Sequence, residues 1–72
     1  MNQDFVLRQI RKYGRVSRVT QKDAILTAIG IHVGLLEKKN VVIRELTVEQ
    51  RDRVLYFVKQ FCLTQGLEFE VR

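Results

Sequence analysis

The chain has 72 residues, a formal net charge of +5 and 46% hydrophobic residues. This length predicts one small domain, residues 1–72, and the apolar fraction excludes a disordered chain. A single cysteine excludes an internal disulfide, and no Cys or His cluster has metal-ligand spacing, so we expect a cytoplasmic protein without metal or cofactor. The longest apolar stretch, residues 24–36, is shorter than the roughly 20 residues that span a bilayer, so no membrane helix is expected.

The overall pattern predicts an α+β fold that is mainly α, with three helices at about 3–13, 20–39 and 47–65. In the first helix, Val6, Ile10 and Tyr13 recur on one side. Gly14 is expected to end this helix as a left-handed cap, because glycine takes that conformation at little cost. Residues 15–19 would then form a connector.

The second helix is expected to begin at Thr20, which with Asp23 resembles a capping box, and to stop near Asn40. Gly30 and Gly34 lie inside it, and each costs about 1 kcal/mol relative to Ala in a helix. Either these glycines allow another part of the chain to pack closely, or the helix breaks near Gly30.

The third helix should begin after Thr47 and Gln50, which form a T-x-x-Q capping box, and end at Gly66. Short strands are expected on either side of it, near 41–45 and 67–71, joined by a right-handed crossover. The helix is apolar over a wide arc and the last strand has an open edge, so we expect a homodimer. The predicted core comprises Ile10, Ile25, Ile29, Val33, Leu36, Val54, Phe57, Val58 and Phe61.

Catalytic chemistry has little support in this sequence. His32 is the sole histidine and is interpreted as flanking the core, and Cys62 has the apolar neighbours of an inert structural thiol. The acidic residues are scattered, and no glycine-rich loop followed by Lys and Ser or Thr is present to hold a nucleotide. We therefore expect a protein that is not an enzyme.

Positive charge is concentrated in the first third of the chain. Residues 1–23 hold six basic and two acidic residues, a balance of +4, whereas residues 24–72 hold seven and six, a balance of +1. Three interpretations stay open: a surface for nucleic-acid phosphates, a surface for an acidic protein, or a solvated face. Tyr13 beside this region could stack on a base or belong to the core. The candidate nucleic-acid-binding residues are Arg8, Arg11, Lys12, Arg15, Arg18 and Lys22.

The run LRQIRKYGRVS, residues 7–17, resembles the start of a winged helix-turn-helix domain, in which a first helix ends in a Gly-Arg-Val-Ser-like turn. The resemblance implies that Ile25, Ile29 and Ile31 surround a turn at Gly30 and that residues 33–39 form a recognition helix. The chain departs from that pattern at Leu26, where a small residue is usual, and in having a long helix where the wing would be.

These observations lead to two functional hypotheses. In the first, the chain is a small cytoplasmic nucleic-acid-binding regulator of transcription, with DNA favoured over RNA, that contacts phosphates through its basic N-terminal surface. In the alternative, it is an adaptor or inhibitor that docks on an acidic surface of a larger protein.

Overall fold

The computed structural model describes residues 3–38 and 46–69, which form three α-helices. α1 comprises Gln3–Arg15, α2 comprises Val19–His32 and α3 comprises Val48–Gln65. α2 packs against both of the other helices. The mainly helical prediction is confirmed, and in the described ranges no helix has both the length and the apolar character required to cross a membrane.

The strands are not found where the structure can be described. The predicted strand near 41–45 lies outside the described residues, as do residues 70 and 71 of the other one. Residues 67–69 are described, and the prediction of a strand there is wrong. Leu67 donates its backbone N–H to Cys62 at the end of α3, and Phe69 packs against Tyr13. The alternating pattern therefore serves a helix cap and an aromatic contact rather than a sheet.

The core lies where α2 meets its two neighbours. Of the predicted core residues, Ile25, Val33 and Phe57 are only partly buried and pack against it, while the others are buried. Tyr13 belongs to the core, with 6% of its surface exposed, so it is not available to stack on a base. The buried apolar residues are Val6, Ile10, Tyr13, Leu26, Ile29, Leu36, Val54, Val58, Phe61 and Cys62.

Gly14 does not end α1, and the predicted stop at residue 13 is wrong. The helix continues through Gly14 to Arg15. In the described ranges only Gly34 and Gly66 have positive φ angles, 82° and 70°. Both are followed by leucine, whereas Gly14 is followed by Arg15. A left-handed cap is commonly accompanied by an apolar residue that folds back on its helix, and Arg15 cannot make that contact.

The predicted start of α2 is also wrong in its details. The N-cap is Arg18, in an extended conformation and without a side-chain capping bond. Thr20 therefore lies in the first turn of the helix, and Asp23 does not complete a capping box. The Asp23 side chain is fully buried and accepts three hydrogen bonds from Arg51 of α3, at 2.8 to 3.0 Å. The carboxylate is engaged in an ion pair between α2 and α3, so it does not cap the start of α2.

α2 ends at His32 rather than near Asn40, because Gly34 reverses the chain. The N–H groups of Gly34 and Leu35 donate to the carbonyls of Ile31 and Gly30, at 3.2 and 2.7 Å, which is the Schellman pattern. This turn carries Leu36 back over Gly30. A Cβ added at Gly30 would lie 2.6 Å from Leu36, so the glycine serves close packing inside a continuous helix.

This geometry does not support the resemblance to a winged helix-turn-helix domain. α2 runs without a turn through Gly30, and residues 33–38 contain no α-helix that could act as a recognition helix. Residue 39 lies outside the described ranges.

Both ends of α3 have the caps that the sequence predicts. The Thr47 hydroxyl accepts from the backbone N–H of Gln50, and the Gln50 side chain accepts from the N–H of Thr47, so the predicted capping box is confirmed. Gly66 adopts the left-handed conformation that was predicted for it.

Candidate nucleic-acid interface

Four of the six predicted site residues share one face of α1. At about 100° per residue, Arg8, Arg11, Lys12 and Arg15 fall within an arc of about 100°. The buried residues of this helix, Val6, Ile10 and Tyr13, occupy the opposite side. We call these four residues, all of them exposed, the basic face: Arg8, Arg11, Lys12 and Arg15.

The continuity of α1 through Gly14 is what creates the basic face. If the helix had stopped at residue 13, Arg15 would lie on a connector and the spacing of three and four residues would carry no geometric meaning. Because α1 includes Arg15, the four cations instead repeat along about 10.5 Å of one rigid element.

The two remaining predicted residues lie nearby but do not join this face. Arg18 is exposed at the start of α2. Lys22 is half-buried and holds its ammonium 5.1 Å from the centre of the Tyr13 ring, a cation–π contact. The structure thus brings four of the six together and leaves Arg18 and Lys22 as flanking charges.

One of the two acidic residues in the N-terminal third, Asp23, is not available to neutralise this region. Asp23 is fully buried and its carboxylate is shared between Arg51 and the backbone N–H of Leu46, which donates at 3.3 Å. Within the described ranges, none of the six predicted cations forms an ion pair. The Asp23 carboxylate therefore does not cancel the charge of the basic face, while Asp4, the other acid of this third, lies one helical turn before Arg8 on α1.

Two grooves run along the sides of the basic face. One has a volume of about 440 Å³ and lies between α1 and the segment after α3, where Arg11 and Lys22 meet Leu67 and Phe69. The other has a volume of about 330 Å³ and lies between α1 and α2, where Lys12 and Arg15 border Val16, Ala24 and Ile25. The groove between α1 and α2 thus joins an apolar floor to cations of the basic face, whereas the other groove is also lined by the acidic Glu68.

The side chains with reactive atoms are placed as structural groups. Burial raises the pKa of the Cys62 thiol, which disfavours the thiolate. Burial also raises the pKa of the Tyr13 phenol, with Arg51 lowering it and Asp23 raising it as smaller effects. His32 is exposed, and its ring stacks on Phe5, which packs against the core, with ring centres 4.5 Å apart. In the described part of the chain, no group of three His, Cys, Asp or Glu residues could hold a metal ion.

The ion pair between Asp23 and Arg51, which keeps the Asp23 carboxylate from neutralising the basic face, was not predicted from the sequence. A signal for it was present: Asp23, Leu26, Thr27 and Gly30 recur at spacings of three and four, so a carboxylate shares a helical face with core residues. A buried carboxylate requires a partner, and Arg51 of α3 is that partner.

Comparison of the chain with known proteins gives no significant match to a family model, a curated protein or a solved structure.

Proposed function

We propose that this protein binds nucleic acid through its phosphates, with the basic face of α1 as the principal contact, and acts as a small regulatory protein in the cytoplasm. The observation that carries the proposal is the alignment of four cations, none in an ion pair within the described ranges, on the side of α1 opposite to its buried residues. The single cysteine of the sequence supports a reducing compartment.

The charge density of the basic face suits a phosphate backbone. Four cations over about 10.5 Å of helix give one charge per roughly 3.5 Å. One strand of duplex DNA carries one phosphate per about 3.4 Å of its axis. Because the guanidinium group offers several N–H donors in a fixed fork, three arginines among the four favour phosphate oxygens as acceptors.

Duplex DNA is favoured over RNA and over single strands. The major groove of B-DNA admits an α-helix, whereas the major groove of A-form RNA is too narrow and deep for side chains to read. Proteins that bind single strands usually stack bases on exposed aromatic side chains. Tyr13, which adjoins Lys12 in the sequence, is buried instead.

The proposal is tested by removing charge from the basic face and from elsewhere by the same amount. Arg11→Ala combined with Arg15→Ala should weaken binding to a random duplex about tenfold or more in a mobility-shift titration, since two phosphate contacts are lost. The matched control is Lys38→Ala combined with Arg53→Ala, which removes two exposed cations outside the basic face. Equal affinities for the two double variants would refute the proposed interface. Single-stranded DNA and duplex RNA of the same length, titrated alongside, test the preference for DNA.

A second candidate function is favoured by the groove between α1 and α2. Its apolar floor, Val16, Ala24 and Ile25, is bordered by Lys12 and Arg15, which suits an amphipathic acidic segment of another protein. In that case the chain is an adaptor or inhibitor. A stoichiometric complex with such a protein that survives nuclease treatment, together with no affinity for DNA, would favour this function over the first.

A further inference from the structure

The side of α3 that faces away from the core carries large apolar residues. Val48, Tyr56 and Leu63 are exposed by 71%, 67% and 65%. Asp52 and Lys59 are also exposed and lie between them. At about 100° per residue, all five fall within an arc of about 80° along roughly 22 Å of helix. We call this set the outer face of α3. Single exposed apolar side chains are ordinary, but an aligned set indicates a contact surface.

The outer face is complementary to a second copy of itself that runs antiparallel. Val48 and Leu63 lie equally far from the midpoint of the face, which falls between Leu55 and Tyr56. Asp52 and Lys59 are also equally far from that midpoint, and they carry opposite charges. A second α3 running antiparallel would therefore oppose apolar to apolar and acid to base at every position.

We infer that the outer face of α3 pairs with the same face of a second copy of this chain, about a two-fold axis near Tyr56. In this pair, Asp52 faces the partner's Lys59, and the symmetry repeats the contact on the other side of the axis. Val48 packs against the partner's Leu63, and the two tyrosines lie within about 1.5 Å of register along the helices, where aromatic rings pack well.

Within one copy, the two charged residues of the outer face do not pair with each other. Asp52 and Lys59 are seven residues apart, about 10.5 Å along the helix, which is too far for an ion pair. In the described ranges, the ion pair within α3 joins Arg53 to Glu49 and leaves Asp52 and Lys59 uninvolved. A second copy supplies the missing partner for both charges at once.

The apolar arc that first suggested a dimer is a different surface. Val54, Val58, Phe61 and Cys62 are buried within one copy, so they cannot form an intermolecular contact. The outer face occupies a separate arc of the helix. Because one helix pair is at the small end of interface sizes, the dimer should dissociate in the micromolar range.

Sedimentation velocity from low micromolar to millimolar concentration tests the inference, with charge reversals as the decisive variants. Asp52→Lys and Lys59→Asp each replace two attractive contacts by two repulsive ones, so each should raise the dissociation constant about tenfold. Combining them restores the attraction with the charges exchanged, and the dissociation constant should return to the value of the unmodified chain. Lys38→Asp is the control for Lys59→Asp, because it makes the same change of charge at an exposed position outside the outer face.

A packing variant gives a separate test of the same face. Leu63→Lys should abolish the dimer while circular dichroism shows an unchanged helix content, since Leu63 is exposed in the single chain. A chain that stays monomeric throughout the concentration range overturns the inference and leaves the outer face to a different protein. A dimer that the single reversals weaken but the combined variant does not restore overturns the antiparallel register.

Discussion

Replacing Gly14 by alanine tests whether α1 continues through this position. A Cβ added at Gly14 would meet no atom within 4 Å, and the residue has no positive φ angle. The substitution should therefore stabilise the fold by about 0.5–1 kcal/mol, because alanine is the better helix former and restricts the unfolded chain. For a domain of this size, that corresponds to an increase in Tm of roughly 2–8 °C.

Gly66→Ala is the matched control for this measurement. A Cβ at Gly66 would also meet no atom within 4 Å, but its φ angle is 70°. An L-residue in that conformation costs about 1–2 kcal/mol, so this variant should be destabilised. Urea or thermal unfolding followed by circular dichroism measures both changes. If Gly14→Ala lowered the stability as Gly66→Ala does, Gly14 would be a left-handed cap and the basic face would not exist as described.

Three further substitutions test the core, the ion pair and the buried phenol. Gly30→Ala should destabilise the fold by about 1 kcal/mol, because overpacking costs about 1–3 kcal/mol and better helix propensity returns about 1 kcal/mol; a gain in urea unfolding would contradict the close packing over this residue. Arg51→Met should lower the free energy of unfolding by about 3 kcal/mol, because it leaves the buried Asp23 carboxylate without its ion-pair partner. Arg53→Met, which breaks an exposed pair, should change it by no more than about 0.5 kcal/mol. A loss for Arg51→Met as small as that for Arg53→Met would show that the buried pair is unimportant. The raised pKa of Tyr13 means that the unfolded chain loses the phenolic proton first as pH rises, so stability is retained below pH 10.0 and lost as pH rises from there through the raised pKa. Stability measured above pH 10.0 should therefore fall more steeply than in Tyr13→Phe, and parallel profiles would contradict burial of the phenol.

The glycines show why local sequence predicts some helix ends and not others. The left-handed helix end at Gly66 was predicted correctly, and the one at Gly34 was not predicted. A left-handed end was also predicted at Gly14, where the helix in fact continues. All three look alike as single residues. What separates them is the next residue, because leucine can fold back on the helix and arginine cannot. Gly30 is followed by an apolar residue too, but Leu36 covers it, so tertiary packing decides its conformation.

The same distinction holds for the candidate site. The spacing of Arg8, Arg11, Lys12 and Arg15 was visible in the sequence, and its meaning depended on whether the helix reached Arg15. The withdrawal of Asp23 from the basic region depended on Arg51, which lies in a helix far along the chain. Periodicity therefore predicted which residues could form a surface, whereas the continuity of α1 through Gly14 aligned them and the ion pair with Arg51 removed Asp23.

The most direct test of the proposed phosphate contacts is the salt dependence of DNA binding. The logarithm of the binding constant, plotted against the logarithm of the salt concentration, should fall linearly for the unmodified chain. Arg11→Ala combined with Arg15→Ala should make the slope less steep by about 1.8, since each phosphate contact contributes about 0.9 on duplex DNA. Lys38→Ala combined with Arg53→Ala should leave the slope unchanged. A slope that is flat in the unmodified chain, or that the two arginine substitutions do not alter, would contradict binding of phosphates by the basic face.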